Sequence, residues 1–195
     1  MPATLEGVKV LDFMWVIAGP TATRYLADFG ATVVRVESSK RIETGRTIGP
    51  FHDGVPGPES SGIFLNMNTD KYGITLDMTT DEGKGVVHDL VRWADIVTES
   101  FSPRAMRNWG LGYEQLREIK PDLIMLSTCL FGQSGPYSEI AGFGTMGSAI
   151  SGFVNLGGDK DGPPVGPFGA YTDYVAPRFT VAALMAALDH RNRTG

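Results

Sequence analysis

Two rhythms of apolar residues alternate along this chain. Short runs rich in Val, Ile and Leu alternate with stretches where apolar side chains return every three or four positions. The first rhythm marks strands and the second marks helices with one buried face. Residues 5–13, LEGVKVLDF, read as a strand that follows a glycine turn. MWVIAGP comes next, and Pro20 suits the first turn of a helix over 21–29, with Gly30 as its C′ residue. ATVVRVE at 31–37 is almost continuously apolar, as expected of a strand covered on both faces. Strand, helix and strand in so short a span form a βαβ unit, which crosses over right-handed and pairs its strands in parallel.

The region 38–62 mixes Gly, Pro and charge and has no period; a loop of that length in a compact domain is functional or mobile. YGITLD at 72–77 is a third strand. Thr79 and Glu82 form a capping box ahead of a helix carrying Val86, Val87, Leu90, Val91 and Ala94. DIVTE at 95–99 and DLIMLST at 122–128 are further strands, separated by short helices over 103–108 and 113–119. After a Gly/Ser/Pro loop (131–137) come a small-residue helix over 145–154, a Pro-rich loop and a long final helix. That last helix shows Phe179, Ala182, Ala183, Ala186 and Ala187 at helical spacing. The alternation predicts an α/β fold: a doubly wound, mostly parallel, Rossmann-like sheet with helices on both faces.

Composition narrows the function. With 195 residues, 42% of them hydrophobic, the chain can bury one sizeable core. A net charge of −5 and no basic block interleaved with aromatics argue against a nucleic-acid surface. No apolar run is long enough to span a bilayer. One cysteine, Cys129, rules out an internal disulfide and fits a reducing cytoplasm. The three histidines are scattered without metal-ligand spacing, so no metal site is expected.

The candidate chemistry centres on Asp173, between Tyr171 and Tyr174, where the Pro-rich loop hands over to the final helix. A carboxylate there is either a helix cap or an ionised nucleophile beside an apolar pocket. Gly142, Gly144 and Gly147 spell G-x-G-x-x-G, but no strand leads into them, so they read as helix-packing residues rather than a dinucleotide site. The turn after the first strand is the better ligand position, because open α/β sheets bind ligands at the carboxyl ends of their strands. Its N–H groups at 17–19 either bind an anion or only shape the turn. Cys129, at the end of the fifth strand, has no His or Lys nearby in sequence to activate it and reads as a structural thiol. Trp15, Trp93 and Trp109 read as core or pocket-wall residues.

LEGVKVLDF with AGP and LADFGATVVRVE, then ITLDMTTDEGK, SFSPRAMRNWGLGYEQL, FGQSGPY, GPPVGPFGAYTDY and AALMAALDHRNRTG follow in one order. Together they resemble the class III (CaiB/BaiF-type) coenzyme A-transferases over essentially the whole chain. The resemblance implies that Asp173 is the nucleophile, attacking an acyl-CoA thioester to form a mixed anhydride and then an aspartyl-CoA thioester. It implies CoA contacts at Val16, Ile17 and Ala18 in the AGP turn, at Lys71, and at Asn108, Trp109 and Cys129. Coenzyme A is then a substrate rather than a bound cofactor, with an acyl-CoA donor and a carboxylic acid acceptor as small-molecule partners.

The sequence also departs from the family. Formyl-type members carry a basic residue at the position of Ser38, a lysine at Cys129 and an arginine at Asn108, which here lies beside Arg107. These differences point away from formyl or oxalyl groups toward a larger or less charged acyl group. The racemase branch uses a His followed by an acid where this chain has Phe143 and Gly144. Removing and returning an α-proton on opposite faces needs two bases, so racemisation is the weaker alternative. The resemblance further implies that residues 1–195 are the N-terminal, CoA-binding part of a large α/β domain. In the family the chain continues into a second segment that completes the sheet, within interlaced dimers. Residues 1–195 alone are then expected to pair with a second copy or with that segment, to expose apolar surface, and to turn over poorly. A non-catalytic CoA-binding fragment is the third reading.

Overall fold

The computed structural model describes residues 3–195. Five strands, β1 (Lys9–Phe13), β2 (Thr32–Glu37), β3 (Tyr72–Thr75), β4 (Ile96–Glu99) and β5 (Ile124–Ser127), form one sheet in the order β3-β2-β1-β4-β5. Every pairing is parallel; Val10 of β1 lies opposite Val33 on one side and Ile96 on the other. The predicted doubly wound α/β sheet is present.

The pleat divides the core in two. Leu11, Phe13, Val36 and Val97 point to one face, where α3 (Asp81–Trp93), α4 (Pro103–Asn108) and α5 (Tyr113–Ile119) supply Val87, Val91, Met106 and Leu116. Val10, Val33 and Ile96 point to the other, covered by α1 (Ala18–Asp28) and α8 (Tyr171–Thr194) through Leu26, Ala27, Leu184 and Leu188. Each buried Leu or Val in these layers stabilises the fold by roughly 1.5–3 kcal/mol.

Several element ends differ from the sequence reading. Helix α1 begins three residues earlier than expected, at Ala18, and takes Gly19 and Pro20 into its first turn. It closes on Gly30 at φ +100°, with Gly30 N–H bonded to Ala27 O and Ala31 N–H to Leu26 O; this is a Schellman motif. Helix α3 is capped by Thr80, whose hydroxyl accepts from Gly83 N–H at 3.0 Å. The expected Thr79–Glu82 box is absent because Thr79 is held by the Asp77 carboxylate instead. The small-residue helix is two pieces, α6 (Gly144–Ile150) and α7 (Phe153–Leu156), broken at Gly152, which sits at φ +82°. A short helix, α2 (Gly62–Met67), was not anticipated, although Ser61 caps it and Phe64 and Met67 are buried.

The buried face of α8 is also a correction. Val181, Leu184, Met185 and Leu188 meet the sheet, whereas Phe179, Ala182, Ala183 and Ala186 face outward. The larger side chains reach the core across the helix–sheet gap; the alanine stripe cannot. With Phe143, Ile150, Leu156 and Phe168 also exposed, the 143–186 region carries the expected apolar surface. A groove of about 480 Å³ runs beside β5, lined by Ile124, Met125, His190 and Thr194. It lies toward the far end of α8 from Asp173, about 25 Å along the helix axis.

Candidate active site

The strand order reverses beside β1, whose crossovers leave toward β2 on one side while β4 pairs on the other. A crevice at the carboxyl ends of such strands is where open α/β sheets take ligands. Residues 14–17 form the turn there, and its polar backbone groups are held from several directions. Met14 N–H donates to Asp12 Oδ1 (2.8 Å), Trp15 N–H to Ser100 Oγ (2.8 Å) and Val16 N–H to Glu43 Oε1 (2.7 Å). Met14 O accepts from Arg35 Nη1 at 2.6 Å. Of the first-turn positions of α1, Pro20 has no N–H and Thr21 N–H is bonded to Ile17 O (2.9 Å), which leaves the N–H groups of Ala18 and Gly19 without acceptors within the helix.

A buried charge cluster lies under the turn. Asp12 is fully buried; its carboxylate also accepts from Thr23 Oγ1 (2.8 Å) and pairs with Lys71 Nζ (3.0 Å). Burial opposes the Asp12 charge, but Lys71, Arg35 and the bonds from Met14 and Thr23 outweigh it and hold the carboxyl below its usual value. Burial pulls Lys71 down to about 8 against the raising effect of Asp12, so near neutral pH the two remain an ion pair. Glu37 grips Arg46 through Nε (2.7 Å) and Nη2 (2.8 Å), and Arg46 continues to Glu59 (3.0 Å). Burial raises the Glu37 carboxyl, yet Arg46 and Arg35 bring it below the ordinary range. The irregular region 38–62 is thereby tied to the end of β2.

Asp173 reaches the same edge from the other direction. Near the far end of α8, Arg191 Nη1 bonds Asp95 Oδ1 (3.2 Å), which stands just before β4, so α8 runs against the strands and begins at their carboxyl ends. Asp173 is the third residue of α8 and half-buried. Gly144, the first residue of α6, comes so close that a Cβ added there would stand 2.8 Å from Asp173 Oδ2. Burial raises the Asp173 carboxyl above its ordinary value, and the nearby Gly144 N–H partly offsets this. Beside it, the Thr172 hydroxyl is buried with no partner. Pro177 lies one turn on and has no N–H to offer the Asp173 carbonyl.

These features carry two predictions. Gly144→Ala forces the carboxylate away from its N–H donor and costs at least tenfold in any reaction Asp173 performs, a loss of about 1.4 kcal/mol; initial rates of adduct formation at Asp173 check it. Because the folded state binds the Asp173 proton more tightly, the unfolded state releases it first as pH rises. Stability therefore falls from pH 3.8, the ordinary value, toward the raised one. Because Asp12 and Glu37 contribute with the opposite sign, the slope should appear in the difference between urea titrations of the native chain and of Asp173→Asn across that range.

The other expected ligand residues separate into two groups. Val16 and Ile17 lie in the β1–α1 turn and Ala18 starts α1, while Cys129 lies near the start of the loop after β5, which Thr128 joins to Met14 (Oγ1 to Sδ, 3.6 Å). Leu130 of that loop packs where Cβ atoms on Gly142 and Gly147 would go, so these glycines do pack α6. Burial and the Glu99 charge push the Cys129 thiol up, keeping it protonated. Trp109 backs an edge-to-face row, Trp15–Phe101–Trp109, with both centroid spacings 5.4 Å, and Arg41 lies over Trp15. Asn108 is exposed at the end of α4. Lys71 is the correction: its side chain is 1% exposed and its Nζ is committed to Asp12, Thr23, Asn68 and Pro20 O. Nothing of that ammonium remains for a ligand.

Sequence reasoning missed Arg35, Glu43 and Glu99. Arg35 and Glu99 lie inside otherwise apolar strands, which is itself a signal, because charged residues are almost never fully buried without partners. Glu99 accepts from Phe101 N–H (2.7 Å) and Gln133 Nε2 (3.3 Å); burial raises its carboxyl despite bonds from Ser127 and Phe101. Glu43 sits in the irregular region and had no such marker.

The family model of CoA-transferase family III matches residues 5–195. The chain belongs to that family. Family III relatives include the succinate–glutarate CoA-transferase of Agrobacterium fabrum, 38% identical over 193 residues, covering 98% of this chain and 48% of the relative. The human succinyl-CoA:glutarate CoA-transferase is 37% identical, with 98% and 43% covered. Among solved structures, a CaiB/BaiF family protein from Brucella suis superposes with a TM-score of 0.91 at 36% identity, over 100% of this chain and 51% of that one. The chain spans about half the length of the family III relatives it matches. Among the described residues, no helix is long and apolar enough to cross a membrane, and no group of His, Cys, Asp and Glu could hold a metal ion.

Proposed function

We propose that this chain carries the nucleophilic half of an acyl-CoA:carboxylate CoA-transferase, with Asp173 as the nucleophile. The supporting observation is the Asp173 carboxylate itself: half-buried, in no ion pair among the described residues, and packed against Gly144 at the start of α6. An Asp173 oxygen attacks the thioester carbonyl, the C–S bond breaks, and a mixed anhydride and CoA thiolate result. The thiolate then attacks the aspartyl carbonyl, displacing the first carboxylic acid as its anion and leaving an aspartyl-CoA thioester. The acceptor carboxylate runs both steps in reverse, so the thioester energy is kept and no water enters. In this reading N–H groups of the glycine loops bear the charge that develops on the tetrahedral oxygen.

Two relatives are named for succinate or succinyl-CoA with glutarate, which makes short dicarboxylic acids the first donor and acceptor to test. The absence of a basic residue at Cys129 and Asn108 fits acyl groups unlike formyl or oxalyl. The racemase reading lacks a second base: Phe143 and Gly144 stand where the His and the acid of that branch would be. The test is to incubate the chain, with its C-terminal segment supplied, with succinyl-CoA and glutarate in deuterated water. The reading expects glutaryl-CoA without deuterium at the α-carbon. Exchanged α-protons without transfer would replace it with the racemase; neither product would remove both.

A further inference from the structure

Val16 sits at φ +71°. For a β-branched residue this is a genuine outlier that the surroundings must impose. Of the groups that hold this turn, one buried carboxylate acts on Val16 itself. Glu43, 1% exposed, accepts Val16 N–H at 2.7 Å and Gly45 N–H at 2.8 Å on the same oxygen. Its other oxygen stands 3.1 Å from Arg35 Nη2, and Arg35 Nη1 donates to Met14 O. The Glu43–Arg35 pair therefore grips the turn on both sides of Trp15, by a donor at Val16 and an acceptor at Met14.

We infer that Glu43 is a positioning residue for coenzyme A. It holds Val16 in the left-handed conformation and so fixes the β1–α1 turn in the shape that presents the Ala18 and Gly19 N–H groups to the ligand. Without that bond Val16 relaxes toward its preferred backbone region and the turn loses its shape before binding. The ligand must then supply the ordering, and affinity falls. The inference rests on the reading of this turn as a CoA contact.

The measurement is calorimetric titration of the chain with free CoA, alongside circular dichroism and urea unfolding. Two variants remove the bond differently. Glu43→Met keeps the length and loses both acceptor oxygens; Glu43→Asp keeps the charge opposite Arg35 but is one methylene too short to reach Val16. Each should weaken CoA binding by about tenfold or more, a change of roughly 1.4 kcal/mol. Measured against Val16→Gly alone, either Glu43 substitution should then cost little, because glycine adopts a positive φ without the carboxylate's help. A merely structural role for Glu43 would cost as much on either background. Unchanged affinity in both variants, a loss just as large on the Val16→Gly background, or a chain that folds with neither substitution would overturn the inference. If the native chain itself binds no CoA, the reading of the turn fails first, and that result is distinct from the others.

Discussion

Asp173→Asn should abolish covalent capture of acyl-CoA, by roughly 10⁴-fold as for a catalytic carboxylate, while the chain stays folded and binds CoA. Asparagine has the shape of aspartate, so the contacts with Gly144 and Thr172 survive. Its amide nitrogen is no nucleophile, and its oxygen carries no full charge to attack a carbonyl. The fold has no need of the carboxylate: burial raises it, which means the native state bears a cost for its ionisation. Asparagine should therefore match or exceed the native chain in urea near neutral pH, the trade of stability for activity expected of a destabilised catalytic group. A helix cap behaves oppositely, since its loss destabilises. Asp173 is not the N-cap of α8; Ala170 is. Unfolding of Asp173→Asn at lower urea than the native chain would return the residue to a structural role.

Lys71→Met should cost about 3–5 kcal/mol, the range for removing one partner of a buried ion pair. Methionine fills much of the space but leaves Asp12 fully buried and without its cation, and it takes one donor each from Thr23, Asn68 and the Pro20 carbonyl. Asp12 anchors Met14 and, through Thr23, the first turns of α1, so the damage includes the crevice itself. Urea midpoints at constant slope give the loss directly. In the double variant Asp12→Asn/Lys71→Met the cost should shrink, because no unpaired charge stays buried. A loss below about 1 kcal/mol in Lys71→Met would place this pair with surface salt bridges and contradict the buried cluster as the support of the turn.

Much of the fold is legible in the sequence because the signals are local. Val-rich runs give β1, β2 and β4, and Gly30 stops α1 where a left-handed residue is required. The final helix was legible in length but not in facing. Phe179 and the alanines have helical spacing, yet Val181, Leu184 and Leu188 share that period on the neighbouring face. Periodicity identifies a helix, while the depth of the gap beneath it selects which stripe is buried. Gly152 breaks a helix through its backbone angle, which small-residue composition alone does not encode.

The candidate site divides in the same way. Asp173 and the AGP turn stand out by sequence position and resemblance, and the fold brings both to one sheet edge. Lys71 entered as a coenzyme A contact through the resemblance alone, and nothing local in the sequence marks its side chain as buried. Its true partner, Asp12, lies 59 positions away and shows only in three dimensions. Glu43 is subtler still: an acid in a Gly/Pro-rich loop that reaches back 27 positions to a strained backbone N–H. Contacts of that range, made by polar side chains to main-chain atoms, leave no periodic trace.

The central claim is that Asp173 is acylated, and it can be weighed directly. The chain is incubated with succinyl-CoA, quenched with hydroxylamine or borohydride, digested, and examined by mass spectrometry. Conversion of Asp173 to its hydroxamate or to the reduced alcohol, absent from Asp173→Asn, is the predicted result. An unmodified Asp173 peptide, with the C-terminal segment supplied as well as without it, would contradict the account.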